Sequence, residues 1–330
     1  MNLFEMGGYL PLELHKGNSY FADIAEEHVF AVNSGRTAIW CAINSLGVKK
    51  VYVPYYYCPS VIEVLRSMAV ELFFYHVGPD FLPVNLTAAE PDAAVVLVNY
   101  FGIMRKRFTE CAQRFNKVIL DQAHDFYAPP ILREGVMNVY SCRKFFGVSD
   151  GAYVIGTGLK KPDLKRDFSY LHAYHLLMSI ELGTNGAYKE NKRNEEELGK
   201  AFLAMSPLTE RILQGVDYAA VAQRRRENYH YLHENLRDIQ QLNCLEGDSV
   251  PYVYPLLLDR DIHAALVKER VYVPVLWSQL LEPEWAGTLE QQYASCLIPL
   301  PLDQRYGEEQ LDEMIQIVRK NADIHGGLGQ

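Results

Sequence analysis

Two neighbouring stretches decide the fold: Val118-Ile119-Leu120-Asp121-Gln122-Ala123-His124, and then Val136-Met137-Asn138-Val139-Tyr140-Ser141-Cys142-Arg143-Lys144. The first begins as an apolar run and the second as a mostly apolar one interrupted by Asn138; each is short enough for a buried strand and ends on polar residues. In an open α/β sheet such ends form the rim where ligands bind. Working outward, residues 93–98 are a continuous apolar run, as a central parallel strand requires. Residues 29–32, 50–53 and 70–74 read as further strands, the second stopped by Pro54. Between them Ala38, Ile39, Cys41, Ala42 and Leu46 recur at helical spacing, and residues 59–68 predict a second helix. Residues 151–155 are expected to return as a hairpin-like partner of the 136–140 strand. This alternation predicts an α/β fold, a large domain with a mostly parallel central sheet flanked by helices.

From 163 to 240 the strand pattern gives way to helical, charged, Tyr-rich sequence, with a long amphipathic stretch from Gln223 to Leu236. Strand signals return from Asn243. Tyr252-Val253-Tyr254-Pro255-Leu256 and Val271-Tyr272-Val273-Pro274-Val275 flank a helix over 261–270, and a last helix covers 308–321. The reading is a large domain over 1–205 and a smaller α+β C-terminal domain over 206–330.

The chain has 330 residues, 49% hydrophobic and 22% charged, which excludes a disordered or fibrous protein. Its 41 acidic and 32 basic side chains give a net charge of -9, which disfavours nonspecific binding to nucleic acid or to an anionic membrane. No stretch reaches the roughly 20 apolar residues of a membrane span. Met1-Asn2-Leu3-Phe4-Glu5 lacks the pattern of a signal peptide. The six cysteines, at 41, 58, 111, 142, 244 and 296, form no CxxC pair and read as reduced thiols of a cytoplasmic protein, with no metal site.

Three predicted strand ends carry candidate chemistry. Asn33-Ser34-Gly35-Arg36-Thr37 joins a strand to a helix start, whose free N–H groups suit a phosphate; a plain helix cap by Asn33 or Ser34 reads it equally simply. Asp121 at the rim needs a cation or a hydrogen-bond donor, or else caps the next segment. His124 beside it reads as a site residue or as a satisfied, partly buried histidine. Lys144 stands between a strand end and Phe145-Phe146, where partial desolvation is expected to lower its pKa and make it nucleophilic; the alternative is a surface lysine packing on Phe145. Taken together, their order and spacing supply what holds pyridoxal phosphate: a phosphate turn, an acid for the ring nitrogen and a lysine for the Schiff base.

With these motifs the chain resembles the fold-type-I pyridoxal-phosphate enzymes, specifically the DegT-like sugar aminotransferases, whose fold is that of aspartate aminotransferase. The resemblance rests on Asn33 to Ala38, Val53-Pro54-Tyr55-Tyr56-Tyr57-Cys58, Leu120 to His124, and Ser141 to Lys144 with Asp150-Gly151. It extends to Arg224 to Tyr229 and Ile298-Pro299-Leu300-Pro301-Leu302. It implies that Lys144 and Asp121 are catalytic, with Lys144 bonding the cofactor and Asp121 facing the ring nitrogen. It also implies that His124 stands near the ring hydroxyl, that Gly35, Arg36, Thr37 and Ser141 hold the phosphate of pyridoxal 5'-phosphate, and that Tyr57 stacks on the ring. The implied reaction moves an amino group from a small-molecule amino donor, glutamate in relatives, to a keto acceptor such as a keto sugar or nucleotide-sugar. The implied assembly is a homodimer with its active site at the interface. Dehydratase-like chemistry on a sugar and a non-catalytic scaffold are the rival readings. Relatives of the former type carry histidine in place of Lys144, and a scaffold needs neither Lys144 nor Asp121. The chain also departs from the usual pattern: Ser141 lies three residues before the lysine rather than five, and no clean match to the relatives' Asn-Tyr-Arg segment occurs near Asn185-Gly186-Ala187-Tyr188.

Overall fold

In the computed structural model the described residues are 7–86, 90–242, 246 and 249–322. The stretch Met1 to Glu5, and Asn243 and Cys244, lie outside them. Seven strands form the main sheet: β1 (Val29–Val32), β2 (Lys50–Pro54), β3 (Glu71–Tyr75), β4 (Ala93–Val98), β5 (Val118–Asp121), β6 (Val136–Ser141) and β7 (Ala152–Ile155). Their order is β1-β7-β6-β5-β4-β2-β3. Only β7 runs against its neighbours, so the sheet is mostly parallel, as expected, and β7 pairs with β6 in the predicted antiparallel sense. Every residue of β4 and β5 is buried, which is why these segments read as unbroken apolar runs.

Helices α1 (Gly35–Leu46), α2 (Pro59–Ser67) and α3 (Arg105–Ala112) connect the early strands. The α1 helix starts on a Ser34 cap whose side chain accepts from the Thr37 N–H, and it ends on left-handed Gly47. It packs across β6 and β7. Then come α4 (Tyr174–Gly186), α5 (Tyr188–Glu197), α6 (Pro207–Gln214) and α7 (Tyr218–Leu236). The chain ends in β8 (Tyr254–Leu257), α8 (His263–Lys268), α9 (Leu289–Cys296), β9 (Leu297–Leu300) and α10 (Glu308–Ala322), with β8 and β9 paired antiparallel. One apolar cluster includes Val51 and Val96 of the main sheet together with Leu256, Ile298 and Val318 of the C-terminal elements.

One predicted strand is absent. Residues 271–275 run extended from Arg270 toward Trp277 without a partner strand. Pro274 has no N–H for a ladder, and both Arg270 (φ 65°) and Trp277 (φ 58°) bend the chain through the left-handed region, so the segment becomes a cavity wall.

Register positions the site. Val98, Asp121 and Val139 share one row across β4, β5 and β6, and Ser141, Ala152 and Val32 share another across β6, β7 and β1. The Asp121 rim, the turn after Ser141 and the start of α1 therefore meet at one edge of the sheet.

The approach of the loop after β4 to His124 is close enough to require glycine. Gly102 has φ +70°, and a Cβ there would fall 2.5 Å from the His124 carbonyl oxygen. Gly102→Ala is expected to cost about 1–3 kcal/mol, read as a lower urea midpoint; an unchanged midpoint would contradict this close approach.

Candidate active site

The site opens from the carboxyl edge as a cavity of about 1260 Å³. Gly35, Arg36, Tyr57, Asp121, His124, Ser141 and Lys144 line it together. Thr37 does not: it is fully buried, with its N–H bonded to Ser34 Oγ and its hydroxyl donating to Asn33 Oδ1 at 2.6 Å. That leaves the Gly35 and Arg36 N–H groups, which have no partner within a helix start, as the free donors. Space is open where a Cβ of Gly35 would stand, so an anion can approach the backbone there. The Arg36 guanidinium points away, bonding the Leu198 carbonyl and lying against Gly199.

Asp121, 6% exposed, ends β5. Its Oδ2 accepts from Tyr57 Oη at 2.6 Å and its Oδ1 from the Ala123 N–H at 3.0 Å. Burial nevertheless raises its pKa, against the pull of these two donors and of Lys144. A carboxylate so placed gains from a cation delivered into the cavity. Tyr57 meets the site through its hydroxyl tip on Asp121, and its backbone carbonyl is tied to Gln279 Nε2 at 3.2 Å.

His124 lies parallel to the rings of Tyr252 (4.7 Å, 18°) and Phe101 (5.8 Å, 20°). Burial, then Lys144, lowers its pKa to about 3, so the ring is neutral at ordinary pH. Its Nδ1 accepts from the Phe101 N–H at 3.4 Å, which places the ring proton on Nε2 and makes that nitrogen the donor.

Lys144 closes the short turn after β6. Its pKa is raised, the reverse of the sequence expectation. Burial does pull the amine's pKa down, but charge interaction with the Tyr252 phenol group outweighs it, and Cys58 and Glu195 act in the same upward direction. Separately, Nζ stands 5.3 Å from the centroid of the Tyr252 ring. Arg143, next to it, pairs with Glu195 of α5. Burial pushes Glu195 up, but Arg143 and Lys144 bring it below the usual range.

The motif residues outside the cavity are structural. Asp150 accepts from the Ser206 N–H at 2.9 Å, from Ser206 Oγ at 2.8 Å and from Thr209 Oγ1, anchoring the start of α6. Asn228 bonds the carbonyls of Leu302, Asp303 and Tyr306, tying α7 to the segment after β9. Sequence reasoning missed Arg225, Tyr252 and Trp277. Arg225 lay within the Arg224 to Tyr229 stretch without a role assigned, Tyr252 was read only as part of a strand, and Trp277 lay just beyond the 271–275 segment. Among the described residues no group of three or more His, Cys, Asp and Glu side chains could hold a metal.

The same architecture occurs in solved structures. DesV of S. venezuelae, in complex with a ketimine intermediate, superposes with a TM-score of 0.63 at 18% identity, covering 90% of this chain and 85% of that one. A DegT DnrJ EryC1 StrS aminotransferase from Brucella abortus gives 0.59 at 18%, covering 89% and 86%. The sugar aminotransferase CalS13 from Micromonospora echinospora gives 0.60 at 16%, covering 91% and 89%. The chain shares the fold of these structures. No protein-family model and no curated protein sequence matches it.

On this scaffold burial makes the Asp121 carboxylate a liability that its two donors and Lys144 only partly offset. Because its folded pKa is raised, the penalty is absent below its unfolded pKa of about 4 and grows as pH rises through the folded value. Asp121→Asn should therefore melt higher than wild type in cofactor-free protein at pH 7, and the gap should shrink toward pH 4. Thermal melts of the two proteins across that range check it; a gap independent of pH would contradict it.

Proposed function

We propose that the protein is a pyridoxal-phosphate-dependent aminotransferase, carrying an amino group from an amino acid, glutamate by resemblance, to a keto sugar or nucleotide-linked keto sugar. The observation that carries this reading is the opening of Lys144, Asp121, His124 and the start of α1 onto one cavity. The donor set fits the cofactor. The Gly35 and Arg36 N–H groups and the Ser141 hydroxyl suit its phosphate, the raised Asp121 carboxylate suits a protonated ring nitrogen, and His124 Nε2–H suits a ring oxygen. When bound, pyridoxal phosphate supplies an electron sink for a carbon that loses a proton beside nitrogen.

The protein's own groups do the rest. Asp121, its carboxylate oriented by Tyr57, would hold a protonated ring nitrogen. Lys144 Nζ would hold the cofactor, and as a free amine the same nitrogen could take and return a proton. His124, uncharged, would offer a ring oxygen its Nε2–H without competing for that proton. Beyond Lys144 the cavity continues along Arg270, Tyr272, Trp277, Arg305 and Tyr306. It exceeds the roughly 300–1,000 Å³ of a usual small-molecule pocket. Aromatic faces and guanidinium groups along that wall support an acceptor that carries a sugar and a phosphate group.

The second part of the proposal is a homodimer. Tyr174, Leu177, Ile180 and Leu182 of α4, with Tyr170 and Tyr188 beside it, are exposed, Ile180 by 82%. Other residues of α4 and α5, His175, Ser179, Asn191 and Glu195, line the cavity. An apolar surface of this kind marks an interaction site, and a second copy seated on it would also close the cavity.

Added pyridoxal phosphate should give a visible band that borohydride abolishes and Lys144→Ala lacks, and glutamate should convert the bound cofactor to its pyridoxamine form. A wild-type protein with no band overturns the reading; a band unmoved by every common amino donor overturns transamination. Ile180→Glu should shift the protein toward monomer in sedimentation and lower turnover. A monomeric wild type would rule out the dimer.

A further inference from the structure

Tyr252 belongs to none of the motifs that pointed to the site, yet it is the aromatic side chain in contact with Lys144. Its half-buried ring lies on the cavity wall, with Lys144 Nζ 5.3 Å from its centroid. Its other relationships fix it in place. It stacks on His124 at 4.7 Å and 18°, and Phe145, the residue after Lys144, lies 6.0 Å away. Its backbone is held on both sides: its N–H donates to the Phe101 carbonyl at 2.9 Å, and its carbonyl accepts from Arg225 Nη1 at 3.0 Å. Arg225 in turn is buried, reaches the Pro251 carbonyl, bonds Gln304 and covers the Phe145 ring at 4.5 Å. Gln304 donates to the Phe145 carbonyl at 2.9 Å. The ring under the lysine and the turn that carries the lysine are thus fastened to each other through one buried guanidinium.

We propose that Tyr252 is a positioning residue: its ring face seats the Lys144 ammonium beside His124 whenever that amine is not bonded to another group. An aromatic face attracts an ammonium through its quadrupole and leaves a neutral amine nearly unaffected. The seat therefore stores the lysine in its charged form and aims it, and it releases the amine when the proton is given up. The other groups facing Lys144 are Cys58, Asp121, Arg143 and Glu195, from four separate segments, with His124 uncharged. Of these, only His124 touches the Tyr252 ring, and its other stacking partner, Phe101, remains when Tyr252 is substituted. The use of this seat during amino-group transfer rests on the aminotransferase reading; the seat itself does not.

The test uses the full chain freed of cofactor. Acetylation of Lys144 by a water-soluble N-hydroxysuccinimide acetate is followed by peptide mass spectrometry between about pH 7 and pH 10. Tyr252→Leu is expected to label about threefold faster at a fixed pH below the amine's titration, with its profile moved to lower pH. Tyr252→Phe, which keeps the ring, should follow wild type. Equal profiles for wild type and Tyr252→Leu overturn the proposal; Tyr252→Phe behaving as Tyr252→Leu overturns the ring-face seat, because the hydroxyl would then carry the effect. Circular dichroism checks folding, and Tyr252→Met replaces the leucine variant should that one unfold. A chain that never binds pyridoxal phosphate but shows these profiles would end the aminotransferase reading and leave the seat standing.

Discussion

A carboxylate buried at the last residue of a central strand is the constraint around which the site is arranged. Asp121 sits where β5 ends, roofed by Tyr57 and braced by the Ala123 N–H, and two hydrogen bonds do not cancel the cost of taking its charge out of water. What compensates has to come from the cavity side. The register of β4, β5 and β6 aims this group at the same space that receives Lys144 from the next strand.

The surrounding polar groups are fixed by bonds that cross long stretches of chain. Gln279 holds the Tyr57 backbone and Gln304 holds Phe145, so the C-terminal elements grip the rim of the main sheet at two points, while Arg225 fixes Tyr252. Rigidity of this kind keeps the Lys144 amine, the Asp121 carboxylate and the start of α1 in mutual alignment. The residues with motif signatures but no cavity surface, Asp150 and Asn228, belong to the same framework: one anchors α6, the other ties α7 to the segment after β9.

The helices α4 and α5 link the surface to the site. They carry both a row of exposed apolar side chains and part of the cavity wall, and Glu195 reaches from α5 to Arg143 beside the lysine. This pair of helices thus joins the outer surface to the neighbourhood of Lys144.

The strand that ends in Asp121 was legible because burial on both faces of a parallel sheet leaves an unbroken apolar run with a polar residue at the rim; the strand that ends in Ser141 was legible from a mostly apolar run interrupted by Asn138, and the helix start at Gly35 from the helical spacing after it. Local pattern could not say that Thr37 turns inward to Asn33, since a hydroxyl at a helix start serves a cap or a ligand equally well. Nor could it exclude residues 271–275 from a strand: that depended on a neighbouring strand that never arrives. The sign of the Lys144 shift was likewise out of reach, because it depends on Tyr252, more than a hundred residues away in sequence and brought over the amine only by Arg225 and the Phe101 carbonyl. Periodicity is a property of adjacent residues, so the sequence by itself determined the elements and their chemical ends. Charge, exposure and orientation are properties of what surrounds a side chain, and those only the tertiary structure decided.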